Sequence, residues 1–290
     1  MSINYKKLIP WQLKILIKIV FSQLGIDYSF LQKYKLVRHG KMDQAEYALK
    51  VFQEHIFSMG INLNDLKGKT ILELGPGDSI TTALIASSYG ARTILIDSHS
   101  AVIKDIKIYK DLAVKLHVYD INIIDLSVIS SFEELLSVLN SKYYVNGLDS
   151  FSKIQSNTVD YIFSQAVLEH IKKKDFSKLM DENRRVIKDS GLISHSVDLK
   201  DHLGYALNHL RFSESIWESR FMSQGSFYTN RIGFDEMIGR FNSAQFNVDL
   251  REVKRWNKLP TPRKRMALPF KNLTEENLLV SEFKVLLKPK

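Results

Sequence analysis

The densest chemistry in this 290-residue sequence lies in "SHSVDLKDH", where His195, Asp198, Asp201 and His202 crowd one short stretch. His170 stands just past another β-rich run. Imidazoles and carboxylates placed at a strand end can take a proton from a hydroxyl as general bases. The same donors could hold Mg²⁺ against a diol, although spacing alone defines no metal site. If the stretch stays extended, His195 and Asp198 point to opposite faces, because side chains alternate along a strand. Only a turn after Val197 brings the acids together. A second group, Arg211, Trp217, Tyr228, Asn230 and Arg231, offers aromatic faces and polar ends. Those residues suit the binding of an acceptor, and they equally suit the packing and capping of a lid.

The third set is a loop, "ELGPGDS", Glu73 to Ser79. Glycines after a buried strand permit a tight turn and let backbone N–H groups approach a ligand. A dinucleotide loop, G-x-G-x-x-G, would place its third glycine at position 80, where this chain has Ile80. No Gly-Lys-Ser/Thr follows, which excludes a P-loop.

These residues need elements to position them. "KTILELG" and "ARTILIDS" read as strands around a helix-like "SITTALIASSYG", and "YYVNGLDS" as a third strand running into a loop. "TVDYIFSQAV" is a fourth strand, "FSKLMDENRRVIKDSG" a helix stopped by Gly191, and "LISHSVDL" a fifth strand. A helix near Phe234 to Phe241 precedes strands at "QFNVDLREVKRW" and "LLVSEFKVLLK". Strand–helix alternation predicts an α/β fold with a parallel sheet covered on both faces. Residues 1–68 read as a helical N-terminal extension, with Gly60 as a helix stop. Two inserts, at about 100–140 and 200–230, interrupt the remaining 69–290.

Composition is that of a folded protein, 44% hydrophobic and 25% charged, with no cysteine and therefore no disulfide or thiolate metal site. Forty-one basic against 32 acidic residues give a net charge of +9, spread along the chain without a nucleic-acid-binding motif. "WQLKILIKIVFSQLG", Trp11 to Gly25, is apolar but shorter than the roughly 20 residues a membrane span needs. Lys14, Lys18 and Ser22 draw a polar stripe on a helix. Packing on the domain or a partner subunit, as in a homodimer, is one reading of this helix, and peripheral contact with a membrane surface is the other.

"LELGPGDS" resembles motif I of class I S-adenosylmethionine-dependent methyltransferases, Glu/Asp-x-Gly-x-Gly-x-Gly, departing at Ser79. Asp97 ends the next strand about twenty residues on, "VNGLDS" sits at the third-strand loop, and "VDYIFSQAVLEHI" resembles the fourth-strand motif. The resemblance implies a Rossmann-like seven-stranded sheet, mostly parallel, with an antiparallel C-terminal hairpin. It also implies S-adenosyl-L-methionine held by Glu73, Gly75, Pro76, Gly77, Asp78 and Ser79, with Asp97 and Ser98 at the ribose. Gly147, Leu148 and Asp149 would flank the adenine, and Gln165 and Ala166 the reacting end. "SQAVLEH", "SHSVDLKDH", "RFSESIWES" and "YTNR" together are similar to methyltransferases of bacterial polysaccharide and glycan biosynthesis. That likeness implies a sugar-hydroxyl acceptor, lipid-linked in one version, and a cytoplasmic enzyme at or near the inner membrane face. A small-metabolite or RNA acceptor, and a catalytically silent cofactor-binding module, remain as alternative readings.

Overall fold

The computed structural model describes Gln12, Leu13, Ile15, residues 41–225 and residues 227–290. Five segments form parallel strands: β1 (Thr70–Leu74), β2 (Arg92–Ile96), β3 (Ser141–Tyr144), β4 (Val159–Gln165) and β5 (Ile187–Asp198). β6 (Phe246–Arg255) and β7 (Val280–Pro289) add an antiparallel hairpin, giving one seven-stranded sheet in the order β3-β2-β1-β4-β5-β7-β6. The chain reverses direction across the sheet between β1 and β4, so a crevice opens over the carboxyl ends of those strands. The sheet is the Rossmann-like methyltransferase type.

Period-two alternation sorts each strand between two cores. Ile71, Tyr161 and Phe163 face α1 (Ala45–Ser58), α2 (Thr81–Ser88), α3 (Ile106–His117) and α4 (Phe132–Val138). Leu72, Leu74 and Ile162 face α5 (Phe176–Val186) and α8 (Phe234–Ser243). Ala48, Phe52 and Ile56 of α1 are fully buried in the first core, so this stretch of the N-terminal segment is part of the sandwich. The 100–140 segment supplies the β2–β3 crossover through α3 and α4. Asp105 caps α3 by accepting the Lys107 amide, and Ser131 caps α4 by accepting the Glu134 amide.

One boundary differs from the sequence reading. α5 ends at Val186 and β5 begins at once, so Gly191 lies inside a strand and does not stop a helix. A Cβ at Gly191 would stand 2.6 Å from Ile187 Cγ1 and 2.9 Å from the Asp160 carbonyl, a close approach only glycine allows.

The 200–230 segment folds into a lid containing α6 (Glu214–Trp217) and α7 (Arg220–Ser223), around a cluster of Leu203, Trp217, Met222, Phe227 and Tyr228. Ile15, buried, joins this cluster. Apart from Gln12, Leu13 and Ile15, Trp11–Gly25 lies outside the described residues, as does its reading as a membrane-surface helix. Among the described residues no helix is long and apolar enough to cross a membrane. A short α9 (Leu268–Lys271) and α10 (Glu275–Leu279) close the connection between β6 and β7.

Candidate functional site

At the end of β1, Gly75 and Gly77 adopt left-handed backbone, with φ of 66° and 71°. The Gly75 amide donates to the Ile96 carbonyl at 2.8 Å, and a Cβ there would meet Val167 Cγ2 at 2.6 Å. The loop is thus pressed between β2 and the segment after β4, and only glycine fits. Glu73 is buried behind it and accepts the Thr82 hydroxyl; burial pushes its carboxyl up to about 8. Pro76 and Asp78 are buried, and the Asp78 carbonyl accepts the Ile103 amide at 2.8 Å. Ser79 Oγ shares a 2.6 Å hydrogen bond with Thr81 Oγ1 in the first turn of α2. The serine in place of a third glycine is therefore turned into the protein, where a small hydroxyl is accommodated.

Asp97 follows β2. Its amide donates to the Tyr144 carbonyl at 2.9 Å, and its own carbonyl accepts the Gly147 amide at 2.8 Å. These two bonds bring Asp97 and Ser98 beside Gly147, Leu148 and Asp149. Burial raises the Asp97 carboxyl above its usual range, opposed by the Ser98 amide donating to Oδ1 at 2.7 Å. Gln165 ends β4, and Ala166 beyond it takes φ of 53°, a strained conformation for a residue with a Cβ. The set fits S-adenosylmethionine chemically: a carboxylate for a ribose diol, an apolar Leu148 for a flat base, and a glycine loop for the amino-acid end.

A residue missed by the sequence reading supports this half. His55 of α1 is buried and bridges Ser194 Oγ at 2.8 Å and Gln165 Oε1 at 3.1 Å. Burial above all depresses its pKa to about 4, leaving Nε2–H to donate to Gln165 and Nδ1 to accept from Ser194. A histidine on a helical face carries no signal until the helix is known to lie under β4.

The proton-transfer candidates divide. His170 and His202 stack with centroids 4.9 Å apart at 12°, and their Nε2 atoms stand 3.1 Å apart. His170 Nδ1 donates to the Tyr228 carbonyl at 2.9 Å, so one N–H of the neutral pair lies between the two Nε2 atoms. Both rings sit past the carboxyl ends of β4 and β5. His195 is displaced from this group: it is 0% exposed, shares a 2.7 Å hydrogen bond with Ser164 Oγ and faces Phe241. Burial lowers it to about 3, and no acceptor can touch it. Asp198 lies on the opposite face of β5, as an extended strand requires, and pairs with Lys200 at 3.1 Å. Asp201 is also corrected from base to cap: its buried carboxylate accepts the Leu203, Gly204 and Asn208 amides. No group of three metal-holding side chains forms among the described residues.

Most of the expected acceptor-binding residues build the lid instead. Trp217 is 0% exposed and donates from Nε1 to the Thr229 carbonyl at 2.8 Å. The Tyr228 hydroxyl donates to Glu218 at 2.7 Å. Arg231 lies over the Trp217 and Phe270 rings, donates to the Phe212 carbonyl and meets Glu214 and Glu218. Asn230 Nδ2 donates to the Leu168 and Ile171 carbonyls at 2.7 and 2.8 Å, clamping the lid to the turn after β4. Arg211 donates to Asn208 Oδ1 at 2.9 Å and stays partly exposed. Glu169, hidden in the middle of "LEH", was also missed: it is 1% exposed, and burial holds its carboxyl well above the usual range.

Residues 72–194 match the family described as a methyltransferase domain. No curated protein matches the chain. Among solved structures, a phosphoethanolamine N-methyltransferase 2 of Haemonchus contortus, in complex with S-adenosyl-L-methionine, is similar at 16% identity and a TM-score of 0.46. That alignment covers 83% of this chain and 53% of the other, so the chain spans about half the length of that relative. A methyltransferase from Archaeoglobus fulgidus is similar at 11% identity and a TM-score of 0.45, covering 90% and 100%. An arsenic(III) methyltransferase from Chlamydomonas reinhardtii is similar at 11% and 0.44, covering 77% and 63%. These likenesses are of fold, and each bound molecule belongs to its own protein.

Proposed function

We propose that the protein, whose residues 72–194 match a methyltransferase-domain family, is an S-adenosylmethionine-dependent enzyme that methylates a hydroxyl of a sugar or glycan-related acceptor. The observation that carries the reading is the His170–His202 pair, which joins the turn after β4 to the segment after β5. When bound, S-adenosylmethionine supplies a methyl group on a sulfonium, ready for in-line displacement. Loop residues 73–79 hold its amino-acid end, Asp97 its ribose, and Gly147 to Asp149 its adenine. The histidine pair takes the hydroxyl proton, and the Tyr228 carbonyl fixes the tautomer of His170 by accepting its Nδ1–H. The lid excludes water from this side.

Calorimetry with S-adenosylhomocysteine tests the cofactor half. Wild-type protein binds it, and Asp97→Ala weakens binding about 10- to 100-fold, the scale of a lost hydrogen bond to a charged group. No binding by the wild type ends the reading. Mass spectrometry after incubation with labelled cofactor and candidate glycans tests the acceptor: a gain of one methyl on a glycan hydroxyl supports it, and transfer only to RNA or a small amine overturns it.

A further inference from the structure

A cavity of about 40 Å³ lies between the end of β5, the turn after β4, the lid and the α10–β7 junction. Four of its lining side chains are more than nine-tenths buried and carry polar atoms with no hydrogen-bond partner. They are both carboxylate oxygens of Glu169, Nδ1 of His209, Oγ1 of Thr229 and Nε of Arg231. His209 Nδ1 stands 4.0 Å from Asp201 Oδ2, beyond hydrogen-bond reach. So many unpaired atoms around one space are unusual, because buried polar groups in native proteins are normally satisfied.

We propose that this cavity is an uncharged, hydroxyl-recognising subsite that takes one edge of the acceptor; the inference rests on the methyltransferase reading above. An apolar occupant would leave all these atoms unpaired in a dry site, the costliest arrangement for buried polar groups. An anion is opposed by Asp198 in the same wall and by Asp201 behind His209. A cation is opposed by the Arg231 guanidinium, which lines the same space. Hydroxyls both donate and accept, and so answer the buried carboxyl of Glu169, the donating Nε of Arg231 and the two-way Thr229 and His209. At roughly 10–15 Å³ per water-sized group, the space holds about three such groups. That is enough for the hydroxyls along one side of a ring, and too little for the whole ring. The remainder points outward past the same turn: Glu169 enters the cavity and His170, the next residue, carries the proton-accepting pair. The lid amide of Asn230 donates to the Glu169 carbonyl at 2.7 Å and fixes that wall.

Saturation-transfer NMR on the full chain, saturated with S-adenosylhomocysteine, tests the assignment with a panel of neutral methyl glycosides. Glucosamine and glucose 6-phosphate serve as charged comparators. The expected result is transfer to ring protons of at least one neutral glycoside, with binding about tenfold weaker in Thr229→Val and restored in Thr229→Ser. Retained S-adenosylhomocysteine binding shows that each variant is folded, since the Trp217 bond to residue 229 uses only its carbonyl. If the wild type binds S-adenosylhomocysteine but no neutral glycoside, the cavity is a structural water pocket and the inference falls while the methyltransferase reading stands. Equal binding by Thr229→Val, or preference for a charged comparator, overturns it as well. A wild type that binds no S-adenosylhomocysteine removes the premise and the inference together.

Discussion

Two imidazoles 3.1 Å apart at Nε2 share one hydrogen, and this gives His170 and His202 a behaviour neither has alone. A change at either ring therefore reaches the other through that bond. Replacing either by glutamine should lower kcat by about 10²- to 10⁴-fold, the ordinary range for a placed base. KM should change little. A variant with wild-type kcat would exclude the pair from proton transfer. At this scale the sequence was only half legible. The glycine loop and Asp97 announced themselves because each depends on local backbone. "SHSVDLKDH" did not separate its members, because burial decides them: His195 enters the core, Asp201 caps backbone amides, and His202 meets a residue 32 positions away.

Among the elements, α1 changes most in meaning between sequence and structure. Read as part of an extension, it turns out to carry Phe52 edge-on against Phe163 of β4, with centroids 6.2 Å apart, and His55 against Ser194 and Gln165. Its amphipathic period was readable in the chain; its partner strand was not, since helix–sheet packing is a long-range choice that local pattern leaves open. Phe52→Ala should lose about 3–5 kcal/mol in urea unfolding, the usual result of emptying a tightly packed aromatic site. A loss under about 1 kcal/mol would mean that α1 is a detachable appendage. The five parallel strands and the hairpin were legible from their apolar runs. The α5–β5 junction was misread because Gly191 is a common helix stop, while here it permits close approach of Ile187 and Asp160.

Over the whole molecule, proton uptake links three regions that share no motif. His55 in α1, His195 in β5 and His209 in the lid are all buried, and burial first of all lowers them to about 4, 3 and 4. The unfolded chain protonates such groups near pH 6.5 while the folded chain refuses until lower pH, so it binds more protons in between. Their contribution is therefore complete above pH 6.5 and is lost as pH falls toward their folded values. Glu73 and Glu169 act in the opposite sense: burial raises them, and their contribution is present at low pH and lost as pH rises through their folded values, about 8 for Glu73. The two sets oppose each other between about pH 4.5 and 6.5, so the wild-type curve alone cannot apportion them, whereas a single-site difference can. His195→Gln removes one titration from a site with no charged contact to lose. The destabilisation caused by that substitution, read from urea melts, should shrink by on the order of 2–3 kcal/mol between pH 7.5 and 4.5. A difference that stays constant over this range would show that His195 titrates alike in both states, and the acid sensitivity would then have to come from His55 and His209.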